Sequence, residues 1–143
     1  MKRIAFTLVE LLVVVIILGI LAAVVIPRFS DASTDARLSS LQGDLGTIRR
    51  QVELYRQHHG SYPTVANFTA QMTGKTDPDG TLNASGKYGP YLQRIPINPF
   101  TDPPGNDVTN TAPASTKAWY FDGAGMFRAN DGQSTNGIAH GSL

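Results

Sequence analysis

The sequence contains no cysteine among its 143 residues. This absence excludes a disulfide framework and any metal site built from thiolates. Histidine is also scarce: the three histidines, His58, His59 and His140, form no Ser/His/Asp or Cys/His set with other residues of the sequence. Without such a set we expect no enzymatic activity. His58 and His59 fall where a helix is predicted to end, and the favourable interaction of histidine with the helix dipole explains them.

The sequence also lacks a basic patch of the kind that marks a nucleic-acid surface. Its 12 Lys and Arg residues against 11 Asp and Glu residues give a net charge of +1. Without Lys2 and Arg3 near the N-terminus, ten basic and eleven acidic residues remain, a net charge of −1. No internal repeat occurs, and the turn at residues 123–125 lacks the following lysine of a phosphate-binding loop. Nucleic acid is therefore not an expected partner.

What the sequence does have is a long apolar run, FTLVELLVVVIILGILAAVVI, at residues 6–26. About 20 apolar helical residues span the roughly 30 Å hydrocarbon core of a bilayer, so the run predicts a transmembrane helix. Lys2 and Arg3 are the only charges before it, which predicts a cytoplasmic N-terminus with the rest of the chain outside. The alternative is a secretory signal peptide cleaved near Ala22 and Ala23, but the run is longer than the usual apolar region of such a peptide.

A single acid, Glu10, lies inside the apolar run. A charged residue at the centre of a span costs about 2.5–3.5 kcal/mol on insertion scales, and Glu10, nearer the end, costs somewhat less. An acid retained there indicates a partner, a function or both. Cleavage between Ala5 and Phe6 would create an α-amino group four residues before Glu10. That amine could pair with the Glu10 carboxylate of a neighbouring copy, and pairing within one chain is the alternative.

The basic leader, a small residue and then FTLVELLVVVIILGILAAVVIPRF (residues 6–29) resemble the class III signal of type IV pilins and type II secretion pseudopilins. The resemblance implies that a prepilin peptidase cuts between Ala5 and Phe6 and methylates the new amine of Phe6. It also implies that Glu10 sets the register of subunits in a helical filament. Ala5 is a departure, since the family usually has glycine at that position.

Two later stretches resemble the major pseudopilins of type II secretion: LYRQHHGSYPT at residues 54–64 and KYGPYLQRIPINPFTDPPGN at residues 87–106. The missing cysteines agree with this, because type IV pilins commonly close a C-terminal loop with a disulfide whereas the major pseudopilins commonly do not. The resemblance implies a polymer of identical copies that works with minor pseudopilins, an inner-membrane assembly platform and a separate cytoplasmic ATPase. The implied location is the bacterial inner membrane, followed by a periplasmic pseudopilus.

The first half of the chain predicts one long helix. Pro27 removes one helical hydrogen bond, that of the Ala23 carbonyl, so a kink is expected there without an end to the helix. With Gly19, a weak helix former, it defines a soft segment that the resemblance implies can lose helical order in a filament. Beyond Pro27, apolar residues at spacings of three and four predict a helix face that packs on a sheet. These residues are Leu38, Leu41, Leu45, Ile48, Val52 and Tyr55.

The second half predicts short elements and loops. Gly60 is the expected left-handed cap of the long helix, and eleven of the fourteen glycines and eight of the nine prolines lie from Gly60 onward. A short helix is predicted at residues 65–73 and a turn-rich loop at residues 76–86. Apolar runs at residues 117–121 and 126–129 around a glycine-rich turn predict a β-hairpin. The tail from Asn130 is small and polar, and we expect it to be partly mobile.

These elements predict an α+β pilin fold, in which a long N-terminal helix packs on a small antiparallel β-sheet head. The predicted parts are a cleaved leader at residues 1–5, a transmembrane and filament-core half of the helix at 6–29, and an amphipathic half at 30–60. A globular head with an αβ-loop and the C-terminal hairpin follows at 61–143.

Calcium is the one cofactor that the sequence raises. The start of a calcium-binding loop is matched by Asp77, Asp79 and Gly80. The motif needs a glutamate at its twelfth position, where this chain has Tyr88, so a simple turn is the better interpretation. The resemblance implies a calcium site in the C-terminal loop, although the family's longer Gly- and Asp-rich loop is not visible. The candidate ligands are Asp122, Asn130 and Asp131.

The sequence thus favours a structural subunit that polymerises into the periplasmic pseudopilus of a type II secretion system. A type IV pilus subunit for adhesion, motility or DNA uptake is the nearest alternative. A membrane-tethered periplasmic binding module that does not polymerise is a further one. No enzyme is expected.

Overall fold

The computed structural model describes residues 7–111, 117–135 and 137–143, with the backbone alone for residues 24–31. The chain divides into two compact units, Met1–Ala36 and Arg37–Leu143. The helices are α1 (Leu8–His59), α2 (Phe68–Thr73) and a 3-10 turn at His140–Ser142. The strands are β1 (Val108–Thr109), β2 (Trp119–Phe121), β3 (Phe127–Ala129), β4 (Ser134–Thr135) and β5 (Ile138–Ala139).

Helix α1 continues through both of its weak points. Gly19 and Pro27 lie inside the helix that begins at Leu8 and ends at His59, so the prediction that Pro27 does not end the helix is confirmed. The kink at Pro27 stays a prediction. Within the described residues, no helix combines the length and the apolarity needed to cross a membrane. The predicted leader at residues 1–5 and Phe6 lie outside the described residues.

The predicted stripe on α1 forms the centre of the core in the second unit. Its members from Leu41 to Tyr55 are at most 1% exposed, and Leu38, the member nearest the N-terminus, is half-buried. Full burial of each such side chain stabilises the fold by about 1.5–3 kcal/mol. Facing partners come from the hairpin and α2, where Trp119, Phe121 and Phe68 are buried in the same cluster. The prediction of a core-facing stripe is confirmed.

The predicted hairpin is also present, with strands shorter than expected. β2 and β3 pair antiparallel with Trp119 opposite Ala129 and Phe121 opposite Phe127. The turn between them depends on Gly125, which has a φ of +107°, and a Cβ there would lie 2.6 Å from the Tyr62 ring. Any other residue at this position would both strain the backbone and collide with an aromatic ring.

Two features differ from the prediction. β1 pairs parallel with β2, so the three-stranded sheet in the order β1-β2-β3 is mixed and not wholly antiparallel. Since β1 has only two residues, it leaves no alternating pattern in the sequence. The tail is folded: β4 and β5 form a second, antiparallel pair. It is anchored by His140, which is fully buried although the surrounding sequence is small and polar.

Candidate functional site

The first turn of α1 holds Glu10 by a capping box. The Thr7 N–H and the Thr7 hydroxyl donate to the same carboxylate oxygen of Glu10, Oε2, at 2.8 and 2.7 Å. In return, the Glu10 N–H donates to Thr7 Oγ1 at 3.3 Å. This reciprocal pattern is the signature of Thr-x-x-Glu at a helix start. The signal is local and present in the sequence, because Thr7 and Glu10 are three positions apart at the start of the apolar run.

The capping box leaves half of the carboxylate unused. Both hydrogen bonds from Thr7 reach Oε2, and the described part of the chain offers Oε1 no hydrogen bond. The predicted partner of Glu10, the amine of Phe6, and the cleavage residue Ala5 lie outside the described residues. Pairing with that amine therefore stays a prediction, with one oxygen of Glu10 oriented and available for it.

The helix that follows Glu10 presents an apolar surface on every side. Its large apolar side chains between Leu8 and Leu21 are each 48–81% exposed. Such a helix requires an apolar environment outside its own chain, either lipid or other helices. A Cβ added at Gly19 would meet no atom within 4 Å, so no contact inside the chain requires glycine there. The side chain of Pro27 is outside the description.

At the other end of α1, an aromatic cluster fastens the loop that follows. We call Tyr55, His58, His59, Tyr88 and Tyr91 the helix-exit cluster. The His58 and Tyr88 rings stack with centroids 4.5 Å apart, and the Tyr55 and His59 centroids are 4.1 Å apart. The Tyr91 hydroxyl lies 2.9 Å from His58 Nδ1 and 3.0 Å from His59 Nε2. The two histidines thus anchor the αβ-loop, the segment at residues 74–107 between α2 and β1. This is more than the helix-dipole role predicted for them.

A hydrogen bond of the helix-exit cluster fixes the tautomer of His59. His59 Nδ1 lies 3.2 Å from the Pro78 carbonyl, which can only accept, so Nδ1 carries the proton. His59 Nε2 then accepts, and the hydroxyls of Tyr91 at 3.0 Å and Thr76 at 3.1 Å both lie within donating distance of it. Burial raises the pKa of Tyr91 to about 12, so this hydroxyl keeps its proton.

A polar network lies buried in the C-terminal segment. Asp131 and His140 are both fully buried, with Asp131 Oδ1 3.1 Å from His140 Nδ1. Asp131 Oδ2 accepts from Asn98 Nδ2 at 2.8 Å, and Oδ1 also accepts from the Gln133 N–H at 2.9 Å. Thr135 Oγ1 lies 2.9 Å from His140 Nε2. We call these five residues the Asp131 network. No local sequence pattern predicts this network, because its members lie as far apart in the sequence as Asn98 and His140.

The predicted calcium ligands are not brought together. Since Trp119 to Phe121 pair with Phe127 to Ala129, Asp122 lies at the turn end of the hairpin and Asn130 beyond its open end. At about 3.4 Å per residue these positions are roughly 14 Å apart along the strands, whereas calcium holds its ligands at about 2.3–2.6 Å. Asp122 Oδ1 is instead used inside its turn, where it accepts from the Ala124 and Met126 N–H groups at 2.7 and 2.9 Å.

The other acidic motif is a turn, as predicted. The Gly80 N–H donates to the Asp77 carbonyl at 2.8 Å, and Gly80 has a φ of +84°. Asp79 Oδ1 accepts from the Thr81 hydroxyl at 2.7 Å and from the Thr81 N–H at 3.0 Å. These hydrogen bonds lower the pKa of Asp79 and keep it ionised in its own turn.

Comparison with known proteins agrees with these features. The family model for the prokaryotic N-terminal methylation motif matches residues 1–26. The chain is 32% identical over 98 residues to the type II secretion system core protein G of Pseudomonas aeruginosa, covering 68% of each chain. It is 32% identical over 113 residues to the core protein G of Vibrio cholerae, covering 78% of this chain and 73% of the relative.

A shorter match links the chain to a fimbrial protein. It is 39% identical over 64 residues to fimbrial protein EcpB of Eikenella corrodens, which covers 45% of this chain and 40% of the relative. No solved structure matches the chain.

The helix-exit cluster generates the first prediction. Tyr91→Phe keeps the ring and removes the hydroxyl shared by two histidines, so we expect the free energy of unfolding to fall by about 1–3 kcal/mol. Thermal unfolding of the full chain in detergent, followed by circular dichroism, measures this. Tyr120→Phe is the matched control, since the described residues give the Tyr120 hydroxyl no hydrogen bond and its ring keeps Arg128 at 4.4 Å. Equal melting temperatures for the two variants would contradict the assigned network.

Proposed function

Because this chain belongs to the family of the type II secretion system core protein G, we propose that it is the structural subunit that polymerises into the periplasmic pseudopilus of such a system. The observation that carries this proposal is 32% identity over 78% of the chain, a span too long to lie in the apolar helix alone. The family consists of structural pseudopilins, not enzymes. The mechanism to be explained is therefore assembly.

Assembly follows from the surface of α1. The side chains from Leu8 to Leu21 are exposed on every side, so the monomer is stable only where lipid covers them. In a filament, neighbouring helices would replace lipid, and the apolar surface would stay covered at both stages. The hydrophobic effect alone does not favour one axial position of such a helix over another. A polar contact is needed to fix the register.

Glu10 supplies that contact. Its Oε2 is held by Thr7 of the same chain, which orients the carboxylate and leaves Oε1 open. We infer that Oε1 accepts from the methylated α-amine of Phe6 in a neighbouring copy, after cleavage between Ala5 and Phe6. Among apolar helices this ion pair would be desolvated and strong, and a subunit out of register would leave Glu10 unpaired. Gly19 and Pro27 would let the helix adjust during the exchange of lipid for protein.

The proposed life cycle sets the partners and the location. Lys2 and Arg3 place the N-terminus on the cytoplasmic side of the inner membrane, with the second unit in the periplasm. A prepilin peptidase processes the chain there. An inner-membrane platform with its cytoplasmic ATPase adds the processed subunits to the filament, together with minor pseudopilins. The methylation-motif match at residues 1–26 supports this order of events.

A type IV pilus subunit is the second candidate, and the match to fimbrial protein EcpB favours it. Deletion of the gene for this chain separates the two functions. For a pseudopilin, we expect exported enzymes to remain in the periplasm and to reappear in the medium when the wild-type chain is restored. Normal secretion together with the loss of surface fibres would overturn the pseudopilus in favour of the pilus.

The role of Glu10 is testable with two substitutions. Glu10→Leu removes the polar group, whereas Glu10→Gln keeps an acceptor for the capping box but removes the charge. Both variants should insert in the membrane and yield few or no filaments, because loss of a buried pair costs about 3 kcal/mol or more per contact, roughly a 100-fold weaker association. Electron microscopy of sheared filaments and blotting of membrane fractions measure the two steps.

The two substitutions separate charge from capping. Filaments from Glu10→Gln but not from Glu10→Leu would mean that capping, and not the ion pair, is what assembly needs. Wild-type filament yield from both variants would remove Glu10 from the assembly mechanism.

Processing generates a further prediction. Mass spectrometry of the assembled protein should find an N-terminal peptide that begins at Phe6 and is heavier by one methyl group. Cells without the prepilin peptidase should retain the peptide from Met1. Assembled protein that still carries its leader would count against the family's processing in this chain.

A further inference from the structure

Asp131 is the predicted calcium ligand that is most deeply buried. It is fully buried, and a carboxylate in that position has to be balanced by a cation or by several hydrogen-bond donors. The resemblance to pseudopilins implies a calcium ion in this part of the chain. The side chains that surround Asp131 decide between the two.

The groups that face Asp131 are donors. Oδ1 is 3.1 Å from His140 Nδ1 and 2.9 Å from the backbone nitrogen of Gln133. Oδ2 is 2.8 Å from Asn98 Nδ2. Each of these atoms directs a hydrogen, with its positive partial charge, at an oxygen that calcium would need. Calcium also requires six to eight oxygen ligands. The residues present therefore do not fit a calcium ion at Asp131.

The other candidate ligands have different uses. Asp122 caps the hairpin turn at the far end of β2, and Asn130 donates through Nδ2 to the Thr111 carbonyl at 3.1 Å. Among the described residues, no group of three or more histidine, cysteine, aspartate or glutamate side chains is arranged to hold a metal ion.

The Asp131 network joins three separate segments of the second unit. Asn98 belongs to the αβ-loop and also donates to the Ala118 carbonyl, next to β2, at 3.0 Å. His140 belongs to the C-terminal turn, and its Nε2 is satisfied by Thr135. The Phe100 ring covers the imidazole with centroids 4.2 Å apart. In the described part of the chain, no buried side-chain nitrogen or oxygen lacks a hydrogen bond.

We propose that the imidazole of His140, with Asn98 and the Gln133 N–H, satisfies the buried Asp131 carboxylate and fastens the C-terminal segment without a metal ion. The protein therefore folds in the absence of calcium.

Calcium titration of the wild-type chain is the first test. The full chain in detergent is unfolded thermally in excess EGTA, in millimolar calcium and in millimolar magnesium as the control for divalent charge. We expect the same melting temperature in all three and no heat of calcium binding in calorimetry. A melting temperature raised by calcium alone, and lowered by EGTA, would overturn the proposal.

Variants test the pair itself. Asp131→Asn and His140→Ala should each lower the melting temperature by roughly 10 °C, because each leaves a buried polar partner unmatched. The fall in melting temperature of the double variant should be clearly smaller than the sum of the two single falls, since the two residues act as one unit. Asp102→Asn, at an exposed aspartate of the αβ-loop, should change nothing.

Additive losses would show that the two residues act independently and would overturn the pairing. Should the variants fail to fold, the calcium titration of the wild-type chain still decides whether a metal ion is needed.

Discussion

Helix α1 has two apolar surfaces, and within the described residues only one of them is covered. From Leu41 to Tyr55 the apolar residues lie on one face, and the hairpin and α2 bury them almost completely. From Leu8 to Leu21 the apolar residues lie all round the helix and stay exposed in the single chain. The hydrophobic effect scales with the area removed from water, so the second surface favours contact with an apolar partner outside the described residues.

The second unit has no cysteine, so it is stabilised without the disulfides on which many small domains depend. Its strands are two or three residues long, and loops supply most of the remaining structure. Buried polar side chains replace long β-ladders: Gln71 accepts from the Thr64 N–H and donates to the Gly80 carbonyl, and Asn98 joins the αβ-loop to the hairpin. Such networks stabilise only when every member is satisfied, and the described part of the chain meets this condition.

Local patterns made parts of this fold predictable. The stripe on α1 repeats at helical spacing, Gly60 marks the end of the helix, and the hairpin combines aromatic runs with a glycine turn. The Asp131 network was not predictable, because Asn98, Asp131 and His140 become neighbours only through folding. The expected calcium ligands show the converse. Asp122 and Asn130 are close in sequence, but the register of β2 and β3 places them at opposite ends of the hairpin.

Side chains with hydrogen-bond partners inside the chain differ in role from those without such partners. His58, His59 and His140 form no reactive set in the sequence, and each hydrogen-bonds to a neighbour within its own unit. Glu10 keeps one carboxylate oxygen without a partner in the described residues, and Gly19 has open space where a side chain would fit. Features that the single chain does not use are the ones that a second copy can use. They lie on the apolar half of α1, where contact between copies also removes the most apolar surface from water.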